Sequence, residues 1–377
     1  MSDHGGVAAS PECRVARLRP LLEQDPGNLS LIADVAEAAL DEHKPDLAIE
    51  MLDRYASVAP LPPNLINLAG LAALGMKQFD RAAACFGSLV EAGERDVAVL
   101  FNLAWCLAMK QEFGRALELI DDDLARRLPQ AAKLQVDILH EIGEFDRAAE
   151  RAREYVEIHA DYGPLLAAVS LLALDIEDEE LALRCASAAP HHPEAMTTLG
   201  TLALGQERAE EARELFDNAL GRSAELPRAW VGRGLAELLL GRSSEAAQDI
   251  DRGAEMFGDH LGSWIAAGWS HLLKHDPATA RSRFERALEV DPNFAESHGS
   301  LAVVDLLEGK TDDARKRTDT ALRLDRGSFA AALAKVLMMT AAGDAAGARR
   351  IFELAVHRPV GGSGRSIAQA LARIGLS

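Results

Sequence analysis

Ten alanines recur along this chain at nearly constant spacing: Ala48, Ala82, Ala116, Ala148, Ala182, Ala212, Ala246, Ala280, Ala314 and Ala348. The intervals are 34, 34, 32, 34, 30, 34, 34, 34 and 34 residues. A fixed period in this range means that one supersecondary unit is stacked many times, because a single unit cannot bury its apolar face alone. Function is therefore expected on an extended surface rather than in one pocket.

The same frame surrounds each alanine. Between Leu261 and Phe294, Trp264, Gly268, Ala280, Phe284, Ala287 and Pro292 stand at register positions 4, 8, 20, 24, 27 and 32. Trp230, Gly234 and Ala246 repeat it from 227 to 260, and Gly200, Ala212, Phe216 and Ala219 from 193 to 226. Small residues (Ala36, Gly70, Ala104, Gly200, Gly234, Gly268, Ala302) fill position 8 in seven units, whereas position 24 carries Leu52, Phe86, Ile120, Phe216, Ile250, Phe284 and Phe352. Small side chains let two helices cross closely, and bulky ones fill the space beside the crossing.

This pattern resembles the tetratricopeptide repeat (TPR), a helix-turn-helix unit of 34 residues. Gly143, Gly241 and Gly309 punctuate it as C-terminal glycines of first helices, each followed by a capping candidate for the second. No stretch alternates at period 2, so the fold class is all-α. The resemblance implies a right-handed superhelical solenoid of about ten helical hairpins with capping helices. The expected organisation is an N-terminal tail and capping helix (1–28), units 1 to 5 (29–192), units 6 to 10 (193–360) and a C-terminal capping helix (361–377).

Composition narrows the partners. A net charge of -19 opposes unaided binding to nucleic acid or to an anionic membrane, both of which require cations at the contact. No apolar run reaches membrane-spanning length and the N-terminus lacks the pattern of a signal peptide. Cys13, Cys85, Cys106 and Cys185 share no pair motif and read as free thiols in a reducing cytoplasm. The basic groups Arg281, Arg283 and Arg286, and Lys310, Arg315, Lys316 and Arg317, fall in second-helix regions and read as a solvated outer face.

In the resembled family the first helix of each unit lines the concave face through positions 2, 5, 9, 12 and 13. Position 9 is apolar in seven of ten units, including Leu71, Trp105, Leu235, Trp269 and Leu337. Apolar surface of this extent marks an interaction site, and aromatic anchors dominate interface energetics. Trp230 and Trp264, at position 4, belong to the core in the family pattern. Two partner-binding clusters stand out: Phe101, Trp105 and Met109 in the third unit, and Val231, Leu235, Ile265 and Trp269 in the seventh and eighth. Between them the fourth unit presents Lys133, Asp137, His140 and Glu141. Its acids and histidine share the spacing of a metal site, but one mixed polar stripe is weak evidence. A polar contact to a basic partner residue is the expectation, and no metal or cofactor is assigned.

Other motifs point away from specific chemistries. The carboxylate clamp of peptide-reading members of the resembled family needs Lys and Asn where this chain has Asn67 and Leu71 before Asn102, and Gln130 and Leu134 after it. The acidic turn Asp175 to Glu180 suits a helix N-terminus better than a calcium loop. Gly361-Gly362-Ser363-Gly364-Arg365 lacks the preceding strand and the Gly-Lys-Ser/Thr ending of a phosphate loop. The expectation is a non-catalytic interaction scaffold or adaptor whose apolar groove holds an apolar or amphipathic partner segment, with or without basic residues. A chaperone-like escort, a regulatory subunit of an enzyme complex and self-association stay open.

Overall fold

The computed structural model describes residues 13 to 356, which contain 22 α-helices and no strand. After α1 (Arg14–Gln24) come ten hairpins. They pair α2 (Leu29–Asp41) with α3 (Pro45–Ala56), α4 (Pro63–Gly75) with α5 (Phe79–Glu91), and α6 (Val97–Met109) with α7 (Phe113–Leu119) and α8 (Asp122–Arg127). Next are α9 (Pro129–Glu141) with α10 (Phe145–Ile158), α11 (Gly163–Asp175) with α12 (Glu179–Ala188), and α13 (Pro193–Gly205) with α14 (Ala209–Arg222). The last four pair α15 (Pro227–Leu239) with α16 (Ser243–Phe257), α17 (Leu261–Leu273) with α18 (Pro277–Val290), α19 (Ala295–Leu307) with α20 (Thr311–Leu324), and α21 (Phe329–Ala341) with α22 (Ala345–Val356). The chain is an all-α repeat solenoid. Contacts divide it into two compact units, one through Leu165 and one from Leu166. The expected C-terminal helix at 361–377 and the glycine-rich segment before it lie outside the described residues.

Each of the ten first helices is 13 residues long, because each is stopped by the same turn. Register position 15 has positive φ in every hairpin: Gly143, Gly241, Gly309 and Gly343, but also His43, Lys77, Gln111, Glu177, Glu207 and His275 at φ 55 to 61°. The next amide reaches back five residues, as in Gln78 N to Ala73 O at 2.8 Å and Arg242 N to Glu237 O at 2.8 Å. This is the Schellman motif, which satisfies carbonyls that a helix end leaves without partners.

All ten marker alanines are buried, and Leu52, Phe86, Ile120, Phe216, Ile250 and Phe284 at position 24 have no exposed surface. A Cβ built on Gly70, Gly200, Gly234 or Gly268 would fall within 2.8 Å of the bulky residue 16 positions later in the same hairpin. Phe216 is enclosed from both sides, since a Cβ on Gly232 of the next first helix would stand 2.3 Å from its ring. Phe352 departs from the pattern at 41% exposed, because no further first helix covers it among the described residues. Trp230 and Trp264 are core residues, and their indole N–H groups donate to the carbonyls six residues earlier, Ala224 at 2.9 Å and Gly258 at 2.8 Å.

The third hairpin breaks its second helix between α7 and α8. The Asp121 side chain caps α8 by accepting from Leu124 N, and the carbonyl of Ile120, freed by the break, accepts from Gln135 Nε2 at 2.9 Å. Gln135 is held in turn by the hydroxyl of buried Tyr155. The fourth hairpin also reverses the size pattern, with Val136 at position 8 and Ala152 at position 24, both fully buried.

Candidate functional site

In the first compact unit, α6 is built almost entirely of apolar residues, so burial of one face leaves the other apolar as well. Leu103, Ala104, Cys106, Leu107 and Ala108 are buried, while Trp105 is 36% and Met109 44% exposed. Phe101, one turn before Trp105, is half-buried, with ring centroids 6.3 Å apart and planes tilted by 40°. Leu71, at the equivalent place on α4, is also exposed. Burial pushes the Cys106 thiol up to about 11, so it stays protonated and acts as a small apolar core residue.

In the fourth hairpin Lys133, Asp137, His140 and Glu141 all stand on α9. Lys133 Nζ bonds Asp137 Oδ2 one turn away, His140 lies edge-on to Phe145 with ring centroids 5.7 Å apart, and Glu141 is exposed. Among the described residues, no group of three His, Cys, Asp or Glu could hold a metal ion.

In the second unit the predicted cluster is mostly turned into the packing. Val231 rests on Gly253, where a Cβ would stand 2.6 Å from its Cγ2. Ile265 packs with Ile250, Ala254 and Trp264, and half-buried Trp269 meets Phe284 edge-on at 5.8 Å between centroids. Only Leu235, at 37%, is exposed.

Other exposed leucines of this unit include Leu239 at 44%, Leu273 at 60% and Leu307 at 63%. They share register position 13 with Met109, so extending that one position through the alanine register finds them. The reading of the basic groups also needs correction. Arg281 binds Asp305 of the next hairpin at 2.6 Å, Arg283 binds Asp251 of the preceding one at 2.8 Å, and Arg317 lies 3.0 Å from Asp305. Arg281 and Arg283 tie neighbouring hairpins together and Arg317 joins the two helices of its own hairpin, while Arg286, Arg315 and Lys316 are exposed.

Two family models, both described as tetratricopeptide repeat, match residues 67–132 and 197–259, and residues 271–337, together just over half of the chain. No curated protein sequence matches. Among solved structures, the chain is similar to a human IFIT1 dimer with PPP-AAAA (TM-score 0.52, 11% identity, 92% of this chain and 94% of that one). It is also similar to a chain of the crystal structure of the APC/C hetero-tetramer Cut9-Hcn1 (TM-score 0.43, 12% identity, 90% of this chain and 89% of that one). YrrB, a TPR protein with an unusual peptide-binding site, matches at TM-score 0.40 and 19% identity, covering 50% of this chain and 98% of that one. No helix among the described residues is long and apolar enough to cross a membrane.

Proposed function

Since the chain belongs to the tetratricopeptide repeat family, we propose that it is an adaptor that holds an apolar or amphipathic segment of a partner protein against α6. Repeats of this family serve as protein–protein interaction scaffolds and are generally non-catalytic. One observation carries the assignment of the surface: Trp105 and Met109 stand exposed on successive turns, with Phe101 supporting the indole from below. A large aromatic with a rigid neighbour offers a wide contact at low entropic cost. Asp137 is partly neutralised by Lys133, which leaves Glu141 as the carboxylate of the fourth hairpin suited to a basic residue at the edge of the segment. The free thiols of Cys13, Cys85, Cys106 and Cys185 suit a reducing cytoplasm.

The test places a photo-crosslinking residue at Met109 and compares the wild-type background with Trp105→Asp. Crosslinking to a discrete partner segment, lost in Trp105→Asp while helical content and melting temperature are kept, is the expected result. Crosslinking that survives Trp105→Asp overturns the assignment. Trp269→Asp is unsuitable as a second surface probe, because it buries a charge against Phe284.

A further inference from the structure

We infer that the groove between α5 and α7, on the side of α6 away from Trp105, is a second binding site, for an extended partner segment that carries an arginine or lysine. The inference goes beyond the adaptor reading and does not depend on it.

The groove encloses about 530 Å3. Its floor is Leu103 and Leu107 of α6, which flank Trp105 in sequence. Two residues turn an α-helix by about 200°, so the floor lies on the opposite side of α6 from the indole. One wall is α5, through Ala83, Ala84, Gly87 and Ser88, and the other is α7, through Arg115, Glu118 and Leu119. Ser88 returns its hydroxyl to the carbonyl of Cys85 at 2.8 Å, so that group is engaged within α5.

The opening reflects what α5 lacks. In three other hairpins, register position 25 carries a carboxylate that bridges to a neighbouring helix: Asp53 to Arg81 of α5 at 3.2 Å, Asp217 to Arg233 at 2.8 Å and Asp251 to Arg283 at 2.8 Å. On α5 that position is Gly87, and Arg115, the counterpart of Arg81 on α7, turns back to Glu112. Ala83, Ala84 and Ser88 stand where α18 has Arg281, Ser282 and Arg286. Glycine is unfavourable inside a helix, and at Gly70, Gly200, Gly234 and Gly268 close packing explains it. A Cβ on Gly87 would meet nothing within 4 Å, so no contact among the described residues accounts for this one. A second chain lying against α5 does.

Width and charge select the occupant. Both α5 and α7 pack on α6, with axes about 8–10 Å from its own, so the gap between them is narrower than a further helix of about 10–12 Å diameter. An extended chain fits: at about 3.3 Å per residue, about four residues span the roughly 12 Å from Ala83 to Glu91. At the end where α5 begins, Lys110 is held between Asp80 and Glu112, both at 2.9 Å. With one first helix between them, α5 and α7 run in the same direction, so their C-terminal turns share the other end. There Glu91, the last residue of α5, and Glu118, in the last turn of α7, have no ion-pair partner among the described residues. Arg95 beside them donates to the carbonyls of Val90 at 2.8 Å and Glu94 at 2.6 Å. Two uncommitted carboxylates, one from each wall, suit a cationic side chain, and its aliphatic stem together with an apolar neighbour covers Leu103 and Leu107.

The test uses the full chain and a fluorescein-labelled peptide, Thr-Val-Thr-Val-Thr-Arg with an amidated C-terminus, read by anisotropy. Its alternation puts both valines and the arginine on one face of an extended chain. Saturable binding is expected, weakened at least tenfold by Gly87→Leu, by Glu91→Gln with Glu118→Gln, and by glutamine in place of the peptide's arginine. Gly87→Leu enters open space and both glutamates are exposed, so the melting temperature should hold. Gly87→Ala is the milder variant and should weaken binding while stabilising the fold. Trp105→Asp should leave binding unchanged. No binding by the wild type, equal binding by Gly87→Leu or by the double glutamine variant, or equal binding of the glutamine peptide overturns the inference. None of these outcomes bears on crosslinking at Met109, so the adaptor assignment fails or stands separately.

Discussion

Gly268 and Phe284 approach so closely that a Cβ on the glycine would stand 2.2 Å from Cε1 of the ring. The contact explains why a residue unfavourable to helices sits in the middle of α17. Gly268→Ala should destabilise by about 1–3 kcal/mol, as overpacking outweighs the gain in helix propensity. Gly87, inside α5, has nothing within 4 Å of its built Cβ. Gly87→Ala should therefore stabilise by roughly 0.5–1 kcal/mol. Urea denaturation that gave both substitutions the same sign would contradict this packing account.

The left-handed residue at the turn of each hairpin yields a second contrast. Lys77, Gln111 and Glu207 adopt φ near 60° at the position that glycine fills in Gly143 and Gly241. A side chain in this conformation costs about 1–2 kcal/mol, and glycine relieves it at some cost in unfolded-state entropy. Lys77→Gly, Gln111→Gly and Glu207→Gly should each stabilise by about 0.5–1 kcal/mol. Gly143→Ala and Gly241→Ala should destabilise by about 1 kcal/mol. Amide exchange at the flanking helix ends resolves the effect hairpin by hairpin, as expected where each repeat contacts chiefly its neighbours.

Much of this architecture is legible in the sequence because packing constraints recur at a fixed spacing. The alanine at position 20 and the small residue at position 8 locate Phe284 in the core, and they separate Trp230 and Trp264 from Trp105. The six non-glycine turn residues were not legible, because the turn is imposed by the hairpin and not by their own preference. Nor was the half-burial of Trp269: its register points it inward, but a large ring can lean onto Phe284, and periodicity carries no information about rotamer. The break between α7 and α8 was hidden for a third reason. Its carbonyl is satisfied by Gln135, a residue of the next hairpin.

That glutamine carries the third prediction. Gln135→Leu keeps the volume but leaves the Ile120 carbonyl without its buried partner and the Tyr155 hydroxyl with only its 3.5 Å contact to Asp122 Oδ1, which should cost about 1–3 kcal/mol. Tyr155→Phe removes only the hydroxyl and should cost less. Burial, then the nearby Asp122 charge, raises the Tyr155 pKa well above the ordinary tyrosine value. The unfolded chain ionises near pH 10 while the folded one stays protonated, so this contribution is complete below about pH 10 and declines above it. Tyr155→Phe should flatten the alkaline decline, measured by urea midpoints between about pH 9 and 11.

At the other end of the pH scale, α1 is tied to the first hairpin by Glu42. Its carboxylate accepts from Cys13 Sγ, from Val15 N at 3.0 Å and from Lys44 Nζ at 2.8 Å. These bonds, that from Cys13 first and that from Lys44 next, hold its pKa at about 2. An unfolded glutamate binds its proton near pH 4.3, so the tether contributes fully above that value and is lost as the pH falls towards 2. Glutamine cannot carry the charge that makes the carboxylate a strong acceptor. Glu42→Gln should therefore speed amide exchange at Val15 at neutral pH and remove the acid dependence of α1 docking. If Val15 exchanged equally fast in both proteins, α1 would have to be held by its apolar contacts through Val15, Leu18 and Leu22 and by the ion pairs of Arg14 with Glu37 and Asp41.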